Sequence, residues 1–327
     1  MRLINISEYD HNSMVLGKPI YDSNKRILLA AGRTIDPKII TRLEAIGIEF
    51  LFVEDEISKG ISIEDMLDMP TWTDAIEAVK TFYHQAVTYH SPKLEGIQKV
   101  AGTLLQEVKY RPTLILIPAG TMTKDLQPYA HAVNVTILAL LIAKEMGYND
   151  IKQKDLAIGS LVHDIGKILD DDPNKHPEKG FDFLRNISQF SIVSAHIAYQ
   201  HHERLDGGGF PRKLKDQAFL EMAQICGLAN WYDNMISKEN FAPHDAMEAI
   251  MAASDRAYSH RIVAAFSQSV ASYPPGTKVI VDNKEPAIVT KIHKHLQRPI
   301  IKLLSNDKII DLLENPTYMI KPFDTVV

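Results

Sequence analysis

HHERLDGGGFP occupies residues 201–211, and HDIGK occupies residues 163–167 upstream of it. Paired histidines beside acids, set before a glycine-rich turn, are hard to satisfy in a soluble protein unless something binds there. Neutral imidazole and carboxylate are the ligands that hold Zn, Mn or Fe at hydrolytic centres. Asp206 and the glycines after it, Gly207 and Gly209 among them, most simply form a tight turn. The same turn would let backbone approach a ligand.

Around these motifs the chain is ordinary. Its 327 residues suffice for two or three domains, and its shares of 45% apolar and 24% charged residues are those of a globular protein. Lys plus Arg is 36 against 41 for Asp plus Glu, a net charge of −5. That balance argues against a nucleic-acid polymer as partner, because backbone phosphate is held largely by Lys and Arg. A small anionic ligand could still be held by local metal charge. A single cysteine, Cys226, excludes an intramolecular disulfide framework and fits a reducing compartment. The N-terminus shows no basic stretch followed by an apolar one. The most apolar segment, Val135 to Ala143, is far shorter than a membrane span. These features lead us to expect a cytoplasmic protein with no membrane partner.

The expected fold class is mainly α, a helical bundle flanked by a small N-terminal α+β module and a small C-terminal β module. Four segments are read: 1–60, 61–119, 120–272 and 273–327. In the first, Val15 to Ile20 and Ile27 to Leu29 read as strands around an Asp22-Ser23-Asn24 turn. Asp36 is the N-cap of a helix that begins at Pro37 and ends near Gly47, and Ile48 to Val53 reads as a strand. In the second, Ala75, Ile76, Val79, Phe82, Tyr83 and Ala86 recur at helical spacing, as do Ile97, Val100, Leu104, Leu105 and Val108. Such stripes are core or a helix–helix interface, which a second copy of the chain could share in a homodimer. Arg111-Pro112 stops the second of these helices. The third segment opens with a helix over His131 to Met146, closed by Gly147, and the next, Lys154 to Lys167, carries the His163-Asp164 pair near its end. Further helices are read over 181–186, 191–202, 220–235, 243–252 and 258–270. Short β-prone runs at 278–281, 287–292, 300–304 and 309–312 suggest an antiparallel sheet.

The two motifs together resemble the HD-GYP family of metal-dependent phosphodiesterases, which open cyclic di-GMP. Every signature position matches except one, where Phe210 stands for tyrosine. The resemblance covers somewhat under half the chain and implies an HD-type bundle for the third segment. It implies an early metal ligand at His131, in YAHAVNVTILALL, and the ligand pair His163 and Asp164. Second-metal ligands fall on His176 in HPEKG, His201 and His202, with Asp164 bridging. The late ligand position falls on Asn230. Lys167 completes HDIGK and would face substrate phosphate, as would the turn of Asp206, Gly207, Gly209, Phe210 and Pro211. Glu203 is expected to orient a liganding histidine.

The chemistry supports that assignment. A carboxylate has two oxygens, so Asp164 can bridge two cations. Two ions about 3.5–4 Å apart can activate a water between them and clamp the attacked phosphate and the leaving oxygen. Each histidine also has a plainer reading: His131 as a hydrogen-bonded core residue, His176 as a solvated loop residue. Singly, each is roughly one in ten to be a ligand. Their joint occurrence in family order makes the plain reading poor for the set. His84, His90, His196, His244 and His260 match no motif.

Four departures shape the expected function. Asn230 replaces an aspartate and brings no charge, raising a centre of two cations, one carboxylate and one hydroxide from about +1 to about +2. Asp233, one turn on, is a candidate substitute. Some family members carry a glutamate four residues before the early histidine; here it is Gln127, which favours two metals over three. The segment between HDIGK and HPEKG is short, with Asp170, Asp171 and Asp172 as a charge run. Ser237-Lys238-Glu239-Asn240-Phe241 replaces a loop that carries arginine and tyrosine. The expectation is hydrolysis of cyclic di-GMP to the linear dinucleotide or GMP by a centre of two divalent Fe, Mn or Zn ions. The alternatives are a weak or inactive cyclic-dinucleotide binder, or a phosphohydrolase acting on another nucleotide phosphoester.

Overall fold

Contacts divide the chain into two compact units, one of Met1–Met66, Ile117–Gln127 and Ala271–Val327, the other of Leu67–Leu116 and Pro128–Val270. The computed structural model describes all residues except 23, 24, 64, 65, 112, 171, 283, 293, 294 and 324–327. Ser23 and Asn24 of the first turn, the Pro112 helix stop and Asp171 therefore lie outside the described residues.

In the first unit, β1 (Arg2–Asn5), β2 (Val15–Leu16) and β5 (Phe50–Glu54) form an antiparallel sheet in the order β1-β5-β2. A separate hairpin pairs β3 (Ile20–Tyr21) with β4 (Ile27–Leu29). The strand read over 15–20 is thus two strands with different partners. Pro19, which lacks an N–H, lies in the break between them. Helix α1 (Pro37–Ala45) starts as its sequence dictates: the Asp36 carboxylate accepts from Lys38 N at 2.8 Å, with Pro37 in the first turn.

The second unit is helical. Helix α2 (Met69–Tyr89) and helix α3 (Leu94–Tyr110) bury both apolar stripes inside the chain, so these stripes are core and not an open face. The pair falls in the same compact unit as the bundle. The reason is packing: α3 lies against α5 (Asp150–Leu161), and Trp72 of α2 donates from Nε1 to Asn134 Oδ1 at 3.2 Å. Asn134 sits on α4 (Gln127–Glu145), whose residues from Ala130 to Ala143 are all buried. A helix apolar on every side belongs at the centre of a bundle. The bundle continues with α6 (His176–Leu184), which packs on α7 (Ile192–Gln200), then α8 (Glu221–Ser237) against α7, α9 (Pro243–Ala252) against α8 and α10 (His260–Ser269) against α9.

Helix α5 ends at Leu161, earlier than the sequence suggests. Val162 N turns back to Gly159 O at 3.3 Å, an i to i−3 bond that tightens the last turn. His163 and Asp164 therefore sit in a turn, followed by a single 3₁₀ stretch, Ile165–Ile168. His201 and His202 likewise follow the end of α7.

The rest of the first unit is a five-stranded antiparallel sheet in the order β10-β6-β7-β8-β9: β6 (Lys278–Val281), β7 (Glu285–Lys291), β8 (Ile300–Leu303), β9 (Ile309–Asp311) and β10 (Ile320–Pro322). Val279, Val281, Ala287, Val289, Ile301 and Leu303 alternate inward along three strands and form its core. Among the described residues no helix is long and apolar enough to cross a membrane.

Candidate metal centre

Five histidines and one aspartate from four places in the sequence converge. His131 comes from α4, His163 and Asp164 from the turn after α5, His176 from the first turn of α6, and His201 and His202 from the turn after α7. They form two overlapping groups whose potential ligand atoms lie within 4.8 Å of one another: Asp164 with His176, His201 and His202, and Asp164 with His131 and His163.

Asp164 belongs to both, and its two oxygens face different ways. Oδ1 is 3.4 Å from His176 Nε2 and 3.5 Å from His201 Nε2. Oδ2 is 3.5 Å from His163 Nε2 and 3.9 Å from His131 Nε2. Lys167 Nζ also lies 2.5 Å from Oδ2. Burial alone would push the Asp164 carboxyl up, but His163, then His176, His201 and the Lys167 charge hold it well below the usual carboxylate range.

The imidazoles are oriented by local backbone. His163 Nδ1 donates to Ser160 O at 2.8 Å, His176 Nδ1 to Pro173 O at 2.6 Å and His201 Nδ1 to Ala198 O at 2.9 Å. Each acceptor is a carbonyl three residues earlier, so Nδ1 must carry the hydrogen, and the neutral ring presents a bare lone pair at Nε2. Burial lowers the pKa of His163, His201 and His202, which keeps them neutral. His176 Nε2 and His201 Nε2 then face each other across 3.3 Å. Two lone pairs so close repel unless a cation lies on both, and 3.3 Å is the span of two bonds of about 2.1 Å meeting at about 100°. His163 Nε2 and Asp164 Oδ1 are buried without a hydrogen-bond partner. A protein rarely leaves such groups unsatisfied, so this donor set fits divalent metal.

Glycines permit the convergence. A Cβ on Gly166 would stand 1.9 Å from His176 O, and one on Gly209 would stand 2.4 Å from His202 O. HDIGK and GGGFP thus need glycine so that backbone can pass close to two histidine segments.

The remaining residues singled out from sequence fall into distinct places. Asn230 Oδ1 lies 2.9 Å from His131 Nε2 and accepts from Asn234 Nδ2 at 3.0 Å, so it joins the His131 group. Asp233 does not substitute for it. Its Oδ2 holds His131 Nδ1 at 2.6 Å and its Oδ1 accepts from Asn134 Nδ2 at 3.1 Å. Glu203 requires a correction: it touches no liganding histidine, and its buried carboxylate accepts from Arg212 N at 2.7 Å and Leu214 N at 2.9 Å. The chain doubles back after the GGGFP turn, which brings those two amides over Glu203. Asp206 accepts from Gly208 N at 2.8 Å and pairs with Arg204 at 2.9 Å, the role of a turn residue. Phe210 stacks on the His202 ring at 4.5 Å and 13°, with Pro211 next to it, so one aromatic face is already covered. Gln127 donates to Gly47 O and Met122 O at 2.7 and 3.2 Å. Asp170 and Asp172 cap the amides of Asp172 and Asn174.

Two features escaped the sequence reading. Asn134, one turn after His131 on an apolar helix, links Trp72 to Asp233; polar residues at i and i+3 in such a helix were the available signal. Lys238, just past α8, feels the centre: burial lowers its ammonium pKa and Lys167 lowers it further, while Asp164 and Asp233 oppose.

Comparison with known proteins gives the following likenesses. Residues 129–235 match the HD domain family model. A cyclic di-GMP phosphodiesterase of Pseudomonas aeruginosa is 25% identical over 236 residues, 66% of this chain and 56% of the relative. A cyclic di-GMP phosphodiesterase of Thermotoga maritima is 31% identical over 164 residues, 44% of this chain and 45% of the relative. A 3′3′-cGAMP-specific phosphodiesterase of Vibrio cholerae is 28% identical over 138 residues, covering 38% of this chain and 32% of the relative. The chain therefore spans about half the length, or less, of these curated relatives. The solved HDG"Y"P protein of Bdellovibrio bacteriovorus shares the fold, with a TM-score of 0.50 at 16% identity over 81% of this chain and 97% of that one. Residues 129–235 thus match an HD domain, and the chain shares its fold with that HDG"Y"P protein.

Proposed function

We propose that this protein hydrolyses a phosphodiester bond of a cyclic dinucleotide, cyclic di-GMP first, with two divalent Fe, Mn or Zn ions at the centre. The observation that carries the reading is the division of Asp164, one oxygen toward His176 and His201 and the other toward His131 and His163. Asp164, His131, His163 and Asn230 would hold one ion; Asp164, His176, His201 and His202 would hold the other. Bound there, a pair of such ions supplies Lewis-acid neutralisation of phosphate charge and lowers the pKa of water.

The chain's own residues then do defined work. The carbonyls of Ser160, Pro173 and Ala198 keep each Nε2 aimed inward. Lys167, on Asp164 and partly exposed, can shift its ammonium onto a phosphate oxygen as negative charge grows there. Glu203 ties down the turn that carries Phe210, which buttresses His202. Product is the linear dinucleotide or GMP, and the working location is the cytoplasm.

The test is direct. Protein loaded with Mn or Fe, its occupancy measured, is incubated with cyclic di-GMP and with 3′3′-cGAMP. Linear product from the first supports the proposal; product from the second alone moves the substrate to the mixed dinucleotide. No product from either, at full occupancy, removes the hydrolase reading. A specific observation favours the other reading, a binder that turns over slowly: Asn230 brings a neutral oxygen where an aspartate would bring charge. Hydrolysis that appears only in Asn230→Asp would establish that alternative.

A further inference from the structure

We infer that the two ion positions differ in affinity: an ion on Asp164, His176, His201 and His202 is retained, and one on Asp164, His131, His163 and Asn230 exchanges. This deepens the metal-centre reading above and rests on it.

The first position has three imidazoles and a carboxylate oxygen. His176 and His201 are buried, each with Nδ1 on a carbonyl, and their Nε2 atoms lie 3.3 Å apart. His202 is held from the side by Phe210. No cationic side chain is paired to Asp164 Oδ1 among the described residues, and that oxygen has no hydrogen-bond partner.

The second position is poorer in two independent ways. Its fourth donor is the amide oxygen of Asn230, which carries no formal charge and already accepts from Asn234 at 3.0 Å. Asp233 cannot make up the charge, because both its oxygens are taken by His131 Nδ1 and Asn134. The carboxylate oxygen on this side, Asp164 Oδ2, carries the Lys167 ammonium at 2.5 Å, a positive charge competing for the oxygen an ion would use. With Asp164 as the single carboxylate donor, two divalent ions leave a net charge of about +3, and the second to enter meets the repulsion of the first. Occupancy of the His131 position then follows the free metal concentration, which makes the assembled two-ion centre dependent on metal supply.

The experiment is a binding titration of chelator-stripped, full-length protein with Mn(II), by equilibrium dialysis with metal analysis, alongside electron paramagnetic resonance. Wild type should show two classes of site separated by about 100-fold, the scale on which a changed ligand or its support acts. Spin-coupled Mn pairs should appear only as the second class fills. Asn230→Asp should tighten the weaker class by at least about tenfold and leave the stronger in place, and Lys167→Met should move the same class in the same direction. His202→Ala should weaken the stronger class. Two equal sites in wild type, a weaker class unmoved by both Asn230→Asp and Lys167→Met, or no Mn binding at all would overturn the inference. Two unequal sites in a protein that cleaves no cyclic dinucleotide would uphold it and count against the substrate reading alone.

Discussion

Gly166 lies so close to His176 that a Cβ there would stand 1.9 Å from the His176 carbonyl oxygen and 2.8 Å from Gly180 N. Both obstacles are backbone, which cannot swing aside as a side chain can. Gly166→Ala should therefore push α6 away from the Asp164 turn and cost about 3 kcal/mol of stability. It should also weaken metal binding, because His176 moves with α6. Gly102→Ala is the matched control. A Cβ at Gly102, inside α3, meets nothing within 4 Å, so alanine should be neutral or stabilise by up to about 1 kcal/mol. Thermal denaturation of both variants checks the pair; equal melting temperatures would contradict the packing argument.

The buried histidines set a pH dependence for metal-free protein. His163, His201 and His202 have folded pKa values below the unfolded value, chiefly through burial. Above about pH 6.5 these rings are neutral in both states and contribute no pH dependence. As pH falls through 6.5 the unfolded chain takes up protons that the folded chain refuses. Stability then drops by about 1 kcal/mol per pH unit for each ring, until the folded values are reached. Asp164 acts lower: its carboxyl is depressed in the fold, so its contribution is present above the unfolded value of about 3.8 and is lost only below it. Chelator-treated protein should lose melting temperature steadily from pH 7 to 5, and metal-loaded protein should fall later and more steeply as protons displace the ions. A flat metal-free profile over that range would rule out neutral buried rings.

Glu203 was expected to act on a histidine and instead secures backbone. Glu203→Gln keeps one acceptor but turns an N–H₂ donor toward Arg212 N or Leu214 N, so one charge-assisted bond is lost and a donor faces a donor. The cost should be about 2 kcal/mol, confined to the turn. Amide hydrogen exchange at Arg212 and Leu214 should speed up while Mn affinity stays within about twofold, far inside the 10–100-fold loss seen when a ligand's supporting partner is removed. A large fall in Mn affinity with unchanged exchange would restore the histidine-orienting role.

Much of the fold was legible because its signals are local. The Asp36-Pro37 start of α1, the stripes of α2 and α3 and the β-prone runs of β6 to β9 depend on near neighbours. Two expectations slipped where tertiary contact decides. Nothing in Lys154 to Lys167 announces that α5 stops at Leu161, since the break serves the approach of Gly166 to His176, ten residues further on. The pairing of β2 with β5, more than thirty residues on, splits the run from 15 to 20, while β3 pairs locally with β4. In the centre, the motifs identified which residues meet, but not the direction each faces. That Asp164 turns one oxygen to each histidine group, and that Asp233 spends both of its own on His131 and Asn134, follows from where α4 and α8 pack. Glu203 was misread because its partners are backbone amides nine and eleven residues away, which carry no residue-type signature.

Lys238 extends the centre beyond the motifs. It is the residue that closes α8, its N–H donating to Asn234 O at 2.9 Å. Asn234 already reaches Asn230 Oδ1. The Lys238 ammonium is partly withdrawn from water, and its pKa is lowered by that burial and by Lys167. Two lysines near one site are mutually unfavourable until an anion lies between them, so phosphate should be bound where both can reach it. Lys238→Ala should raise KM for a cyclic dinucleotide by about tenfold, equivalent to about 1.4 kcal/mol, with kcat changed far less. It should also flatten the dependence of KM on salt, because one charge contact is gone. Lys238→Arg should restore most of the affinity. An unchanged KM with unchanged salt dependence in Lys238→Ala would remove this residue from substrate recognition, and a fall in kcat alone would point to Lys167 as the lysine that meets phosphate.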